Sequence, residues 1–117
     1  MKLLSILTFA AAVSAIKCGR NVYSEKQVKD ADAAACNHVK SGTHVRRYPH
    51  LYKNHEGFFF KGFKGPFYEY PLVKHGIYKG GPPGPDRVII TKGCDRAGEI
   101  THTGARLGGF VACSGTT

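Results

Sequence analysis

The eleven residues Tyr48–Phe58 (YPHLYKNHEGF) place His50, Tyr52, His55 and the carboxylate of Glu56 between the chain-bending Pro49 and Gly57, with Tyr48 directly before them. Titratable groups and stacking rings packed this closely suit a ligand that is aromatic, hydrogen-bonding and charged, as a nucleotide is. Further along, Glu69, Arg87 and His102 are the polar members of otherwise apolar, β-rich pieces. If these pieces are neighbouring strands, one sheet face presents two histidines, a glutamate, an arginine and Tyr48. That set supports in-line attack at a phosphodiester. A carboxylate takes the proton of the attacking hydroxyl, and an imidazolium protonates the leaving oxygen. A guanidinium stabilises the charge that gathers on the phosphoryl oxygens. With a ribose 2′-OH as nucleophile, the first step needs neither water nor metal, and DNA is excluded because it lacks that hydroxyl. Each residue alone has an ordinary explanation. Glu69 between two tyrosines fits a solvent-facing charge, and Asp86-Arg87 fits a turn ion pair worth under about 1 kcal/mol. The set carries more weight than its members.

Positioning these groups requires a sheet. The only segment with helical spacing starts at Ser24, where Ser24 and Gln27 form a capping-box pattern. Val28, Ala31, Ala35 and Val39 then recur on one face as far as Lys40, before Ser41-Gly42 ends the run. Beyond Gly42 the chain is broken by Gly, Pro and Asn at short intervals. Candidate strands are Phe67–Val73, Arg87–Thr91, Glu99–Thr103 and Gly109–Ala112, with a short extended piece at Tyr48–Tyr52. Alternation turns Tyr48 and His50 to one side, and Glu69 to the side of Phe67 and Pro71. Gly80–Pro85 (GGPPGP) is a loop. One helix followed by several short strands predicts an α+β domain, the helix packed on one face of an antiparallel sheet.

The ends and the cysteines bound the rest. Lys2, the apolar run Leu3–Val13 and the small residues at 13–15 form a secretory signal peptide over residues 1–15, too short to span a membrane. Residues 16–117 then form one exported, extracellular domain with no membrane span, expected to be a monomer. Cys18, Cys36, Cys94 and Cys113 make two disulfides, with three connectivities open on spacing alone. No C-x-x-C pair suggests a zinc site, and no cofactor or metal is expected. The formal charge of +9 becomes +8 without Lys2, a surplus suited to nucleic acid, anionic lipid or acidic glycan.

From Cys18-Gly19 to Cys113-Ser114-Gly115 the chain resembles the fungal guanyl-specific ribonucleases. The resemblance rests on YPHLYKNHEGF, GPFYEYPL, the Gly-rich loop closing on PDRV, EITHTGA and FVAC. It implies one helix on a curved antiparallel sheet, with bridges Cys18–Cys113 and Cys36–Cys94. It implies Glu69 as general base beside His50, and His102 as general acid. Arg87 and Tyr48 hold the phosphate, and Phe110 walls the site. The products would be a 2′,3′-cyclic phosphate and then a 3′-phosphate after guanosine.

The same resemblance assigns guanine recognition to Tyr52, Lys53, Asn54, His55 and Glu56. A carboxylate accepts the adjacent imino and amino N–H groups that guanine alone offers, a contact worth roughly 1–3 kcal/mol of discrimination. Backbone groups of Lys53, Asn54 and His55 would meet the other edge, and Tyr52 and His55 would stack on the ring. Two features depart from the family. Lys53-Asn54-His55 replaces the usual Asn-Asn-Tyr, and Arg46-Arg47 with Lys61, Lys64, Lys74 and Lys79 makes this chain notably basic. The reading is a metal-independent endoribonuclease acting on single-stranded RNA after guanosine. The alternatives are a compact ribotoxin-like nuclease acting on ribosomal RNA, and a secreted RNA-binding protein without turnover.

Overall fold

The computed structural model describes residues 15–117. The expected signal peptide, apart from Ala15, lies outside the described residues. The elements in order are β1 (Ile16–Cys18), β2 (Asn21–Tyr23), α1 (Glu25–Ser41), β3 (His50–Tyr52), β4 (Phe67–Pro71), β5 (Asp86–Thr91), β6 (Arg96–Thr101) and β7 (Val111–Ala112), with a 3₁₀ turn at Phe60–Gly62. Strands β3 to β7 form one antiparallel sheet in sequence order, and β1 and β2 form a separate hairpin.

The helix follows its sequence signals. Ser24 Oγ accepts from the Gln27 N–H at 3.1 Å while Gln27 Oε1 accepts from the Ser24 N–H at 2.7 Å. Gly42 closes the other end at φ 66°, where a side chain would be strained. A cap of this kind stabilises by about 1 kcal/mol. The helix then buries Val28, Ala31 and Ala35.

Strand alternation divides the interior in two. Tyr70, Val88 and Ile90 pack with Val28, Ala31 and Ala35 on the helix side. Phe67, Ile89 and Ile100 pack with Tyr52, Phe60 and Phe110 on the other side. Residues that share the parity of Phe67 and Ile89, Glu69 and Arg87 among them, therefore fall on the face away from the helix.

The expected strands are recovered with shifted ends. Strand β4 stops at Pro71, two residues early, while β6 begins three residues early at Arg96 and leaves His102 just beyond its end. Strand β7 shrinks to two residues, and the extended piece at Tyr48–Tyr52 is a strand only from His50, with Tyr48 in an isolated bridge to Val45. The β1–β2 hairpin was missing from the sequence reading, because three-residue strands are too short to show a period. Its Gly19 turns at φ 59°, where an added Cβ would come within 2.5 Å of Thr103 Cγ2.

Asp86 replaces the ordinary explanation of Asp86-Arg87, a turn ion pair, with a buried structural role. Its carboxylate is fully buried and accepts from Tyr23 Oη at 2.5 Å, Asn21 Nδ2 at 2.8 Å and Thr101 Oγ1 at 2.6 Å. One carboxylate thereby fastens the N-terminal hairpin and β6 to the start of β5. Two disulfides complete the frame. Cys18–Cys113 joins β1 to the residue after β7, and Cys36–Cys94 joins the helix to the β5–β6 turn. A ring as long as the first stabilises by roughly 4–5 kcal/mol through loop-closure entropy.

One partly buried group works against stability at neutral pH. Arg96 pairs with Glu25 at 2.7 Å and with Glu99 at 2.9 Å, and lies 3.9 Å from Asp32 Oδ2. Asp32 Oδ1 has no hydrogen-bond partner among the described residues. Burial, and secondarily the charge of Glu99, push the Asp32 carboxyl up to about 7 from its ordinary 3.8. Between those values the folded state holds a proton that the unfolded chain has released. The stability this site contributes is therefore complete below the lower value and lost as pH rises through the upper one. Asp32→Asn should raise the melting temperature at about pH 8, leave it nearly unchanged at about pH 4, and flatten the slope between. Thermal melts across that range check this, and an unaltered slope would clear Asp32 of the effect.

Candidate active site

Pairing of β3 with β4 sets His50 opposite Glu69, and pairing of β4 with β5 brings Arg87 alongside. Glu69 is buried and uses both oxygens. Oε1 lies 2.9 Å from His50 Nε2, and Oε2 accepts from Arg87 Nε at 3.1 Å. His50 Nδ1 lies 2.9 Å from the Arg47 carbonyl. A carbonyl only accepts, so Nδ1 carries a proton. The Nε2–Oε1 contact then requires one more, on the ring or on the carboxyl. His50 and Glu69 thus share a single transferable proton.

Arg87 is only 3% exposed. Besides Glu69, it donates through Nη1 to the carbonyls of Gly84 at 2.7 Å and Asp86 at 2.9 Å, and through Nη2 to Tyr48 Oη at 3.1 Å. Those bonds occupy four of its five N–H donors, leaving one on Nη2. The Tyr48 ring, tilted against His50 at 4.8 Å, also lies 5.1 Å from the guanidinium. Tyr48, His50, Glu69 and Arg87 therefore form one connected cluster.

His102 is reached by a different route. Its backbone N–H donates to the Pro85 carbonyl at 2.9 Å, which holds it beside the start of β5. Its Nδ1 donates to the Gly109 carbonyl at 2.7 Å, leaving Nε2 as the nitrogen free for chemistry. The ring stacks on Phe110 at 3.9 Å and 24°.

The base half is held by the same few residues. Glu56 Oε1 accepts from Tyr52 Oη at 2.5 Å, and Oε2 accepts from the Phe110 N–H at 3.0 Å. Desolvation pushes the Glu56 carboxyl up, but the Tyr52 hydroxyl and the Phe110 N–H, helped by its own N–H and by His55, hold it below its usual range. Burial, then the bond to Glu56, drives the Tyr52 phenol far upward. Tyr52 is 7% exposed and packs edge-on to Phe60 and Phe110, so its clearest work is orienting Glu56. Asn54 braces the loop at φ 55°. Its side chain bonds both the carbonyl and the N–H of Phe58, at 2.9 and 2.8 Å, and its own carbonyl accepts from the Gly57 N–H. Lys53 and His55 are exposed. A cavity of about 490 Å³ beside this loop is bordered by Tyr52, Lys53, Asn54 and Phe67, and its lining does not include Glu56.

Sequence reasoning missed Gly109. A single peptide group supplies the Gly109 carbonyl to His102 and the Phe110 N–H to Glu56. A Cβ at Gly109 would lie 3.1 Å from the Arg106 carbonyl oxygen and 3.3 Å from Glu56 Oε2. The Gly108-Gly109 pair ahead of an aromatic was the available signal for such a close approach.

Comparison with known proteins bears on these residues as a set. The ribonuclease family model matches residues 11–114. The chain is 52% identical over 102 residues to guanyl-specific ribonuclease Th1 of Trichoderma harzianum, covering 85% of this chain and 96% of that protein. It is 48% identical over 102 residues to extracellular guanyl-specific ribonuclease Fl1 of Gibberella baccata, covering 86% and 96%. This chain belongs to the ribonuclease family. Among solved structures, a ribonuclease from Hericium erinaceus, RNase He1, superposes with a TM-score of 0.63 at 37% identity, over 86% of this chain and 98% of that one. The α+β fold is thus one that the ribonuclease family shares.

Within this ribonuclease-family site, the hydroxyl of Tyr52 is the group to remove. Tyr52→Phe should move the Glu56 carboxyl toward its ordinary titration range while the fold is kept. An NMR titration of the side-chain carboxyl carbons reads this directly, and an unmoved Glu56 would show that Tyr52 does not hold it.

Proposed function

We propose that residues 16–117 form a secreted, monomeric endoribonuclease that cleaves single-stranded RNA after guanosine. Carrying this reading is the buried Glu69 carboxylate, hydrogen-bonded on one side to His50 and on the other to Arg87. With the shared proton on His50, Glu69 is the carboxylate that accepts the 2′-OH proton. The resulting alkoxide attacks the adjacent phosphorus. The P–O5′ bond breaks, and His102 Nε2–H protonates the departing oxygen. The products are a 2′,3′-cyclic phosphate and a free 5′-hydroxyl. The remaining Nη2 donor of Arg87 and the Tyr48 hydroxyl face the charge developing on the phosphoryl oxygens. Water then opens the cyclic phosphate to a 3′-phosphate with the two proton-transfer roles exchanged. No step calls on a metal or cofactor.

Guanine preference follows from Glu56 and is supported by relatives named as guanyl-specific. The bound base would take over acceptor capacity that Tyr52 and Phe110 now share. Lys53, Asn54 and His55 would frame its other edge, with His55 as the exposed stacking partner and Phe110 as the wall beside the phosphate. Export is supported by the signal-peptide pattern of residues 1–15 and by the extracellular designation of one relative. The non-catalytic alternative requires a missing catalytic group, yet His50, Glu69, Arg87 and His102 are all present. Nothing beyond the basic charge favours a ribosomal target.

Two substitutions test the roles separately. His102→Ala should lower turnover of a guanylyl dinucleoside phosphate by roughly two to four orders of magnitude while preserving the thermal melt. Near-normal turnover would remove His102 as the acid. Glu56→Ala should depress kcat/KM for guanylyl substrates more than for adenylyl ones. An equal loss on both would exclude Glu56 from base recognition.

A further inference from the structure

We propose that the loop between β3 and β4, residues 58–66, docks on the anionic face of a lipid bilayer, a binding property separate from the ribonuclease reading. Its sequence, FFFKGFKGP, has no hydrogen-bonding side chain other than its two lysines. Phe60 is fully buried, its ring against Phe58 and Phe67. Phe59 and Phe63 on either side of it are 66% and 38% exposed. Phenyl rings held in water by a fixed loop leave apolar surface for a partner to cover.

The backbone says which partner. Phe60, Lys61 and Gly62 turn at φ 48°, 58° and 83°, and the Gly62 and Phe63 N–H groups each donate at 3.0 Å, to the carbonyls of Phe59 and Phe60. The Phe59 and Phe60 N–H groups donate to the Thr117 backbone oxygen at 2.8 and 3.1 Å, and the Phe58 N–H donates to Asn54 Oδ1 at 2.8 Å. Amides already satisfied inside the protein can enter a lipid interface without losing bonds to water. Those same amides have nothing left to donate to a phosphate or a base edge, which favours a bilayer over RNA on this loop.

Charge selects the kind of bilayer. Lys61 and Lys64 are exposed, and among the described residues neither forms an ion pair. Rings that sink to the headgroup boundary with free ammonium groups beside them match a surface carrying negative headgroups. The formal charge of +9 adds attraction at longer range. The surface continues past the loop, since Gly65 and Pro66 border the cavity of about 490 Å³ together with Lys53 and with Leu51, which is 53% exposed on the outermost strand β3.

Residues 16–117 contain every described element and both disulfides, so this form is tested without the apolar leader, which would itself bind lipid. It should co-sediment with vesicles of phosphatidylcholine and phosphatidylserine, not with phosphatidylcholine alone, and salt should weaken the binding. Phe59→Ser should lower the partition coefficient roughly tenfold while keeping the thermal melt and the turnover of a guanylyl dinucleoside phosphate. Lys64→Gln should lower it roughly fivefold. Lys64 is the lysine to change, because Lys61 also acts on the Glu25 and Asp32 carboxyls. The chain has no tryptophan, so Phe59→Trp places a single reporter on the loop, and its emission should shift to the blue on anionic vesicles. Equal binding to both vesicle types, wild-type binding by Phe59→Ser or an unshifted Trp emission would each overturn the proposal. So would a Phe59→Ser effect confined to cleavage of long RNA, which would give the loop to the substrate. Concentration-dependent self-association that Phe59→Ser abolishes, without vesicle binding, would give it to a second copy and overturn the proposal too. Vesicle binding by a protein that fails to cleave RNA would uphold the docking surface and overturn only the ribonuclease reading.

Discussion

A guanidinium that is almost completely withdrawn from water must find acceptors within the protein, and this constraint organises the site. Arg87 meets it with Glu69, the carbonyls of Gly84 and Asp86, and the Tyr48 hydroxyl. Leaving a buried charge without its partner costs about 3–5 kcal/mol, so the arrangement is stiff. Stiffness of this kind suits a group meant to receive developing charge without moving. Behind it, Asp86 ties β5 to the N-terminal hairpin and to β6. Polar contacts among buried atoms thus fix three strands relative to the Arg87 guanidinium.

The chemistry residues were legible because side-chain type and strand parity are local properties. His50, Glu69 and Arg87 meet as alternation and antiparallel pairing require. The helix was legible for the same reason, since its cap, face and stop are all written within twenty residues. What was not legible depends on partners distant in sequence. The role of Asp86 required knowing that Tyr23, Asn21 and Thr101 converge on it, and nothing local to Asp86-Arg87 announces those partners. The hairpin at Ile16–Tyr23 has strands too short for any period. The shift of Asp32 likewise depends on its burial and on Glu99 and Arg96, far along the chain, with no local sequence signal for it.

Tyr52 illustrates a subtler gap. Its aromatic type suggested a stacking surface, but packing against Phe60 and Phe110 leaves mainly its hydroxyl to act. An amphipathic side chain offers two functions, and burial selects between them. His55 shows the opposite outcome, being exposed and therefore free to present its ring.

The peptide group between Gly109 and Phe110 has a consequence for anyone altering this protein. It is planar and rigid, so its carbonyl and its N–H cannot be aimed independently. The former holds the histidine assigned to proton donation, and the latter holds the carboxylate assigned to guanine. With the roles proposed above, selectivity and rate would be mechanically geared through one amide. Re-engineering the protein for another base by replacing Glu56 alone would release that gear. Such a redesign needs a new acceptor for the Phe110 N–H as much as new contacts for the incoming base.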